Sequence, residues 1–283
     1  MGNTTSLYGS IGYTYLINET LEKNNYPKYI LVLSDNHSKL PYCNNYKMIS
    51  DWLKEKINTN NILLEEVPRD NSQKLKDIFI NSDHTQKLKK FFINNSNLIL
   101  GIDIRPLLIK FSWELLELTE MPKLTLNQYL EDIDEFFYFN NHKIKNINKN
   151  YEKGNIINSP CYIQFEVIKK IYLNYRKKNI NHLNQLLSYI YDNHKIILED
   201  LNNILDNIME FYVILNIFKP QIDSKNIIIH TGLVHSEKII YWLNNYYSYK
   251  IIEEKGINKI EENEIKAIKN GCLELSKTID NKF

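Results

Sequence analysis

Two apolar runs, nearly two hundred residues apart, constrain this chain more than anything else in it. Tyr29-Ile30-Leu31-Val32-Leu33 leads into Ser34-Asp35-Asn36-His37, and Ile227-Ile228-Ile229 leads into His230-Thr231-Gly232-Leu233-Val234-His235. A short unbroken run of aliphatic residues closed by small and polar ones is the pattern of a strand buried on both faces. Such strands belong to sheets covered by helices, where ligands bind beyond the carboxyl ends of the strands. Asp35, His37 and His235 therefore point to one site assembled from both ends of the chain.

Further runs of the same form lie at 61–67, 97–104 and 247–253. Helical spacing separates the first three: over 44–58 it places Tyr46, Ile49, Trp52, Leu53 and Ile57 near one face, and 84–95 and 107–118 are also expected to be helices. Pro106 suits a helix start. Alternating strands and helices predict an α/β fold with a mostly parallel sheet flanked by helices. The middle reads differently. Leu, Ile, Tyr and Phe recur at helical spacing through 125–139, 161–177, 180–193 and 196–217, with a polar loop over 140–159. The expected organisation is an N-terminal tail or arm over 1–28 and a single α/β domain over 29–283. A helical insertion over 125–217 interrupts that domain, and a helix over 261–279 closes it.

Composition narrows the partners. Hydrophobic residues make up 43% of the 283, enough for a sizeable core. The net charge of +1, from 35 basic and 34 acidic residues, gives no electrostatic case for nucleic acid or an acidic membrane. Heavy use of Asn, Ile, Lys and Tyr reads as the codon bias of an AT-rich genome, such as that of a large DNA virus or a protist. Cys43, Cys161 and Cys272 are distant from one another and odd in number, which predicts no disulfide framework and a reducing compartment. No signal peptide or membrane-spanning run is evident. Met1-Gly2-Asn3-Thr4-Thr5-Ser6 fits the pattern for myristoylation of Gly2. One acyl chain without a basic cluster predicts weak, reversible membrane association, so the expected location is intracellular, cytoplasmic or peripheral to a membrane.

The strand ends carry the chemistry. Asp35 and His37 are two residues apart and can reach one metal or one water. Glu65 and Glu66 end the second run on opposite faces, so one of them is expected in the crevice with His37. Asp103 and Arg105 end the third on one face. They either pair with each other, or Arg105 binds a substrate carboxylate or phosphate or holds Glu66. Gly232 permits a sharp turn into a helix that starts near His235. His230, inside its strand, reads as a core histidine, and His84, His142, His182 and His194 are given no role.

Taken together, Ser34-Asp35-Asn36-His37, Leu63-Leu64-Glu65-Glu66, Gly101-Ile102-Asp103 and Gly232-Leu233-Val234-His235 followed by Tyr249-Lys250-Ile251-Ile252 resemble one superfamily. It contains the TIKI proteases, TraB proteins, ChaN-like lipoproteins and erythromycin esterases. Its members carry a G-E-x-H or G-x-x-H segment after the first strand, an L-x-E strand end and a late G-x-x-H. Ser34 replaces the usual Gly, and Asp35 the usual Glu, shorter by one methylene. The resemblance covers roughly 29–120 and 225–255. It implies hydrolysis of an amide or ester bond of a peptide or small molecule. His37, Glu65 or Glu66, and His235 would surround the reacting water, and Asp103 and Arg105 would face the substrate. A divalent zinc, manganese or iron would take its ligands from Asp35, His37, Glu66 and His235.

Two other readings compete. Asp35-Asn36-His37 also resembles the opening of calcineurin-like metallophosphoesterases, but the later GNH and GHTH segments of that family are missing. The substitutions at 34 and 35 suit a catalytically degenerate binding or virion-associated protein of the same fold. Phosphate-binding loops and GxGxxG, HExxH, GxSxG and CxxC motifs are absent, which disfavours nucleotide-dependent and serine-hydrolase classes.

Overall fold

The computed structural model describes residues 4–19, 27–38, 40–68, 82–105, 170, 206–218, 226–261 and 272–283. The chain divides into two units. One comprises Met1–Ile102 and Pro220–Phe283, the other Asp103–Lys219.

The first unit holds both apolar runs. They form β3 (Tyr29–Asp35) and β7 (Asn226–Gly232), buried from their second residue onward. The other strands are β1 (Thr5–Tyr8), β2 (Gly12–Ile17), β4 (Lys47–Met48), β5 (Asn60–Leu64), β6 (Ile99–Gly101), β8 (Lys250–Gly256) and β9 (Cys272–Leu275). Among the described residues six of them make one sheet, in the order β6-β5-β7-β3-β2-β8. The pairs β6–β5, β5–β7 and β7–β3 are parallel, and β2 runs antiparallel to both β3 and β8. The sheet is therefore mostly parallel, with one reversed strand. β3 and β7 lie side by side, with Leu33 opposite His230 and Asp35 opposite Gly232.

Helices α1 (Ile49–Lys56), α2 (Asp83–Asn94), α3 (Leu233–Tyr246) and α4 (Lys277–Lys282) belong to the same unit. Trp52 and Leu53 of α1 and Leu88, Phe91 and Phe92 of α2 share one core with Leu31 and Leu33 of β3, Ile62 and Leu64 of β5 and Ile228 of β7. Strand alternation turns Ile30, Val32, Ile227 and Ile229 to the other face, where they are fully buried too. Burial on both faces is what a continuous aliphatic run encodes. β8 is the exposed edge strand, and its Glu253, Glu254 and Lys255 discourage pairing with another chain.

The structure corrects several expectations. Residues 5–17 are not a tail. They form β1, the centre of a small β4-β1-β9 sheet, and β2, an interior strand of the main sheet. Tyr13-Thr14-Tyr15-Leu16-Ile17 is an aromatic and β-branched run, which suits a strand although its first half is not aliphatic. The strand expected at 247–253 starts at Lys250, because Tyr247 closes α3 and Ser248 takes a positive φ of 60°. The closing helix expected over 261–279 gives way at its end to β9 and α4. Cys43 and Cys272, expected to stay unpaired, are joined in a disulfide across 229 residues, with their Cα atoms 6.0 Å apart.

In the second unit, residues 206–217 are helical, and Ile208, Met209, Phe211, Val213, Ile214, Leu215 and Ile217 are buried. Apolar residues around the whole circumference mark a helix enclosed on all sides. The expected helices over 107–118, 125–139 and 180–193 lie outside the described residues, as does nearly all of that over 161–177 and most of that over 196–217. No helix among the described residues is long and apolar enough to cross a membrane.

Candidate functional site

The chain leaves β3 for β5 on one side and leaves β7 for β8 on the other. Adjacent strands whose connections depart in opposite directions open a crevice at their carboxyl ends. That crevice is where the first unit collects its polar side chains. All four histidines of the described residues, His37, His84, His230 and His235, gather there around Asp35 and Glu65.

Asp35 ends β3 and is fully buried. Its Oδ2 lies 3.1 Å from His37 Nδ1, and its two oxygens lie 3.1 and 3.0 Å from His84 Nε2. The Asn36 N–H donates to Oδ1 at 2.8 Å. Burial alone would raise the pKa of this carboxyl. The hydrogen bonds from His37 and His84, and the charge of both rings, outweigh burial and hold it well below the usual carboxylate range. An ionised carboxylate only accepts, so His37 Nδ1 and His84 Nε2 both carry protons.

His37 follows in the left-handed backbone region, at φ 56°. That conformation costs a non-glycine residue about 1 kcal/mol. An Asx turn supports it, with Ser38 N–H donating to Asn36 Oδ1 at 3.1 Å. His37 Nε2 sits 3.3 Å from Glu65 Oε2. Burial opposes a charge on this ring, but the hydrogen bonds to Asp35 and Glu65 and the attraction of both carboxylates prevail and raise its pKa to about 11. His37 is an imidazolium clamped between two anions at neutral pH.

Glu65 is placed by the end of β5. Its N–H donates to the His230 carbonyl at 3.0 Å, which extends the β5–β7 pairing by one residue. Its side chain, 6% exposed, accepts from the Gly232 N–H through Oε2 and lies 3.6 Å from His235 Nε2 through Oε1. The Glu66 N–H instead turns back to the Leu64 carbonyl at 2.7 Å. Of the two acids, Glu65 is thus the one that meets His37 and His235. His235 stands in the first turn of α3 and is 6% exposed as a residue. Gly232 makes room for the group: a Cβ there would lie 2.8 Å from His37 Nε2 and 3.3 Å from Glu65 Oε2.

His230 donates from Nε2 to the Gly9 carbonyl at 3.0 Å, and burial lowers its pKa. It fills the core position expected of it. His84, given no role by the sequence, lies in the buried first turn of α2 and grips Asp35. The stripe His84, Leu88, Phe91, Phe92 at helical spacing was the available signal, since it puts this histidine on the apolar face. Asp103 and Arg105 belong to the second unit. Arg105 Nε and Nη2 bond the two oxygens of Asp103 at 2.7 and 3.1 Å, and Nη1 bonds Asp206 Oδ1 at 2.6 Å. The pairing alternative holds for them. Gly2 lies outside the described residues.

Among the described residues no three His, Cys, Asp or Glu side chains are arranged to hold a metal ion. Asp35 sits behind His37, on the ring nitrogen remote from Glu65, and the protonated His37 offers no lone pair. The cluster as it stands is an alternating chain of imidazoles and carboxylates, His84–Asp35–His37–Glu65–His235. His37 is its most accessible member, with 23% of its side chain exposed against 0–8% for the others. Such a chain can deliver a proton from His37, accept one at Glu65 and stabilise negative charge between them. The chain matches no family model, and it has no match among curated proteins or solved structures.

Proposed function

We propose that this protein hydrolyses an amide or ester bond, of a peptide or a small molecule, at the His37–Glu65–His235 cluster. One observation carries the reading: the ends of β3, β5 and β7 bring two imidazoles to the two oxygens of a single carboxylate. Glu65 takes a proton from the attacking water, whose oxygen bonds to the carbonyl carbon. The His37 imidazolium gives its Nε2 proton to the leaving group as the carbon–heteroatom bond breaks. Transfer of the proton from Glu65 back to His37 restores both groups, so one water is consumed and an acid and an alcohol or amine are released. The split environments of the two groups, a cation held by anions and a carboxylate held by donors, favour this assignment. The order of the segments is that of the TIKI, TraB, ChaN-like and erythromycin-esterase superfamily, and residues 125–217 are read as a helical insertion within it.

The test is a panel of esters, peptides and phosphoesters with wild type, His37→Ala, Glu65→Gln and His235→Ala. Ester or amide turnover that falls about 100-fold or more in each variant is expected from the loss of a general acid or base. Turnover unchanged in the variants, or none in wild type, overturns the reading, and phosphoester cleavage alone moves it to a metallophosphoesterase.

A metal-assisted form is the second reading. Two imidazoles on one carboxylate are donors of the kind that zinc, manganese and iron accept. It requires His37 to give up its proton and turn its ring. Elemental analysis of wild type, His37→Ala and His235→Ala separates the two readings: stoichiometric metal lost in both variants favours this one. Myristoylated Gly2 would add weak, reversible membrane attachment at an intracellular site, and mass spectrometry of protein from eukaryotic cells decides it. The same spectra report whether Cys43 and Cys272 are bonded there.

A further inference from the structure

We infer that His84 is a positioning residue: it fixes Asp35, which in turn fixes the ring of His37 against Glu65. The inference about geometry stands by itself, and its consequence for rate rests on the hydrolase reading. His84 and Asp35 are both fully buried. The ring shares its Nε2 proton between the two carboxylate oxygens, at 3.1 and 3.0 Å, which sets the plane of the carboxyl group as well as its position. Asp35 is then unable to rotate without losing His84, and its Oδ2 stays 3.1 Å from His37 Nδ1.

The ring of His84 is itself clamped. Ser82 caps α2, its Oγ accepting from Thr85 N–H, and so fixes the turn that carries His84. Gly9 has a positive φ of 101°, and a Cβ there would lie 2.8 Å from His84 Cβ, so the β1–β2 turn presses directly on the helix. Tyr8 meets the ring edge-on, with centroids 5.8 Å apart. The other nitrogen, Nδ1, is buried without a hydrogen-bond partner among the described residues. Packing alone would be served better by an apolar side chain, which leaves no nitrogen unsatisfied. What a histidine adds here is the one donor aimed at Asp35. A ligand-like side chain oriented by a buried partner behind it is the usual way to hold reacting groups in register.

The test compares His84→Gln, which keeps an N–H donor, with His84→Phe, which keeps a ring and removes the donor. The first readout is the low-field proton resonance of His37 Nδ1–H in the Asp35 hydrogen bond, with circular dichroism confirming that each variant is folded. It is expected in wild type and His84→Gln and shifted upfield or lost in His84→Phe. The second is hydrolysis, where kcat is expected to fall about 10–100-fold in His84→Phe with KM little changed, and to recover in His84→Gln. A folded His84→Phe whose His37 resonance and kcat match wild type overturns the inference, and so does equal loss in both variants. If wild type hydrolyses nothing, the hydrolase reading fails, and the resonance alone decides the role of His84. If His84→Phe does not fold, His84→Asn takes its place, because its shorter side chain cannot reach Asp35.

Discussion

Replacing Gly232 with alanine probes the cluster without altering any of its charged groups. The backbone there has φ −56° and ψ 152°, which any residue adopts, so the added methyl brings no backbone strain. It does meet the His37 ring. Relief from 2.8 Å to an ordinary contact of 3.4 Å moves Nε2 by about 0.6 Å. Added to the 3.3 Å separation from Glu65, that displacement gives at most about 3.9 Å, beyond a hydrogen bond. Losing a hydrogen bond between charged partners costs about 1.5–3 kcal/mol. Against it, alanine restricts the unfolded chain and returns about 0.4–1 kcal/mol. The expected net is a destabilisation of about 1–2 kcal/mol, read as a lower midpoint of urea unfolding at unchanged slope. The same variant should titrate His37 below about 11 when followed by NMR, since Glu65 no longer supports the charge. A variant more stable than wild type by the full entropic gain, with the His37 titration unmoved, would refute the placement of the ring.

The pH dependence follows from the same pair. The pKa of His37 is raised from 6.5 to about 11, so its contribution is complete below 6.5 and lost as pH rises through about 11; that of Asp35 is depressed, so its contribution is present above the ordinary carboxylate range and lost as pH falls. Urea unfolding across pH should show stability declining above about 6.5 in wild type and not in His37→Gln, and identical profiles would contradict the ion pairs. Reducing the Cys43–Cys272 bond, or Cys272→Ser, is expected to cost about 2–4 kcal/mol by unfolding with and without dithiothreitol. Arg105→Ala should cost about 3–5 kcal/mol, because Asp103, 7% exposed, and Asp206 lose their cation; hydrogen exchange over residues 206–217 reports it within the second unit.

The two strands that frame the site were legible because of where they lie. β3 and β7 are interior and parallel, so every residue past the first is buried and the code is a bare aliphatic run. β2 is equally interior, but its partners are antiparallel and its core is made of Tyr13, Tyr15 and Leu16 between Thr14 and Gly12, which breaks that pattern. Alternation alone leaves Glu65 and Glu66 equivalent; what separates them is one backbone bond, from Glu65 N–H to the His230 carbonyl. That bond exists only because β7 enters between β3 and β5, a long-range pairing that no local signal encodes. His84 was hidden by its polar neighbours Asp83, Thr85 and Gln86, although its spacing to Leu88 and Phe91 places it inside.

The cluster ties stability to reactivity in a definite way. Asp35 is ionised with no exposure to water, which a protein tolerates only when donors replace the lost hydration. His37, His84 and the Asn36 N–H supply them. The proton that His37 lends to Asp35 at Nδ1 leaves Nε2 committed to the opposite side, toward Glu65, and Glu65 is in turn held by the Gly232 N–H at the start of α3. Each group is thus both the solvation of its neighbour and a constraint on its orientation. A chain built this way cannot loosen at one member without exposing an unsatisfied charge at the next. This is why the exposed face of His37, the member most open to solvent, can be held still enough to act on a substrate while the rest of the cluster stays dry.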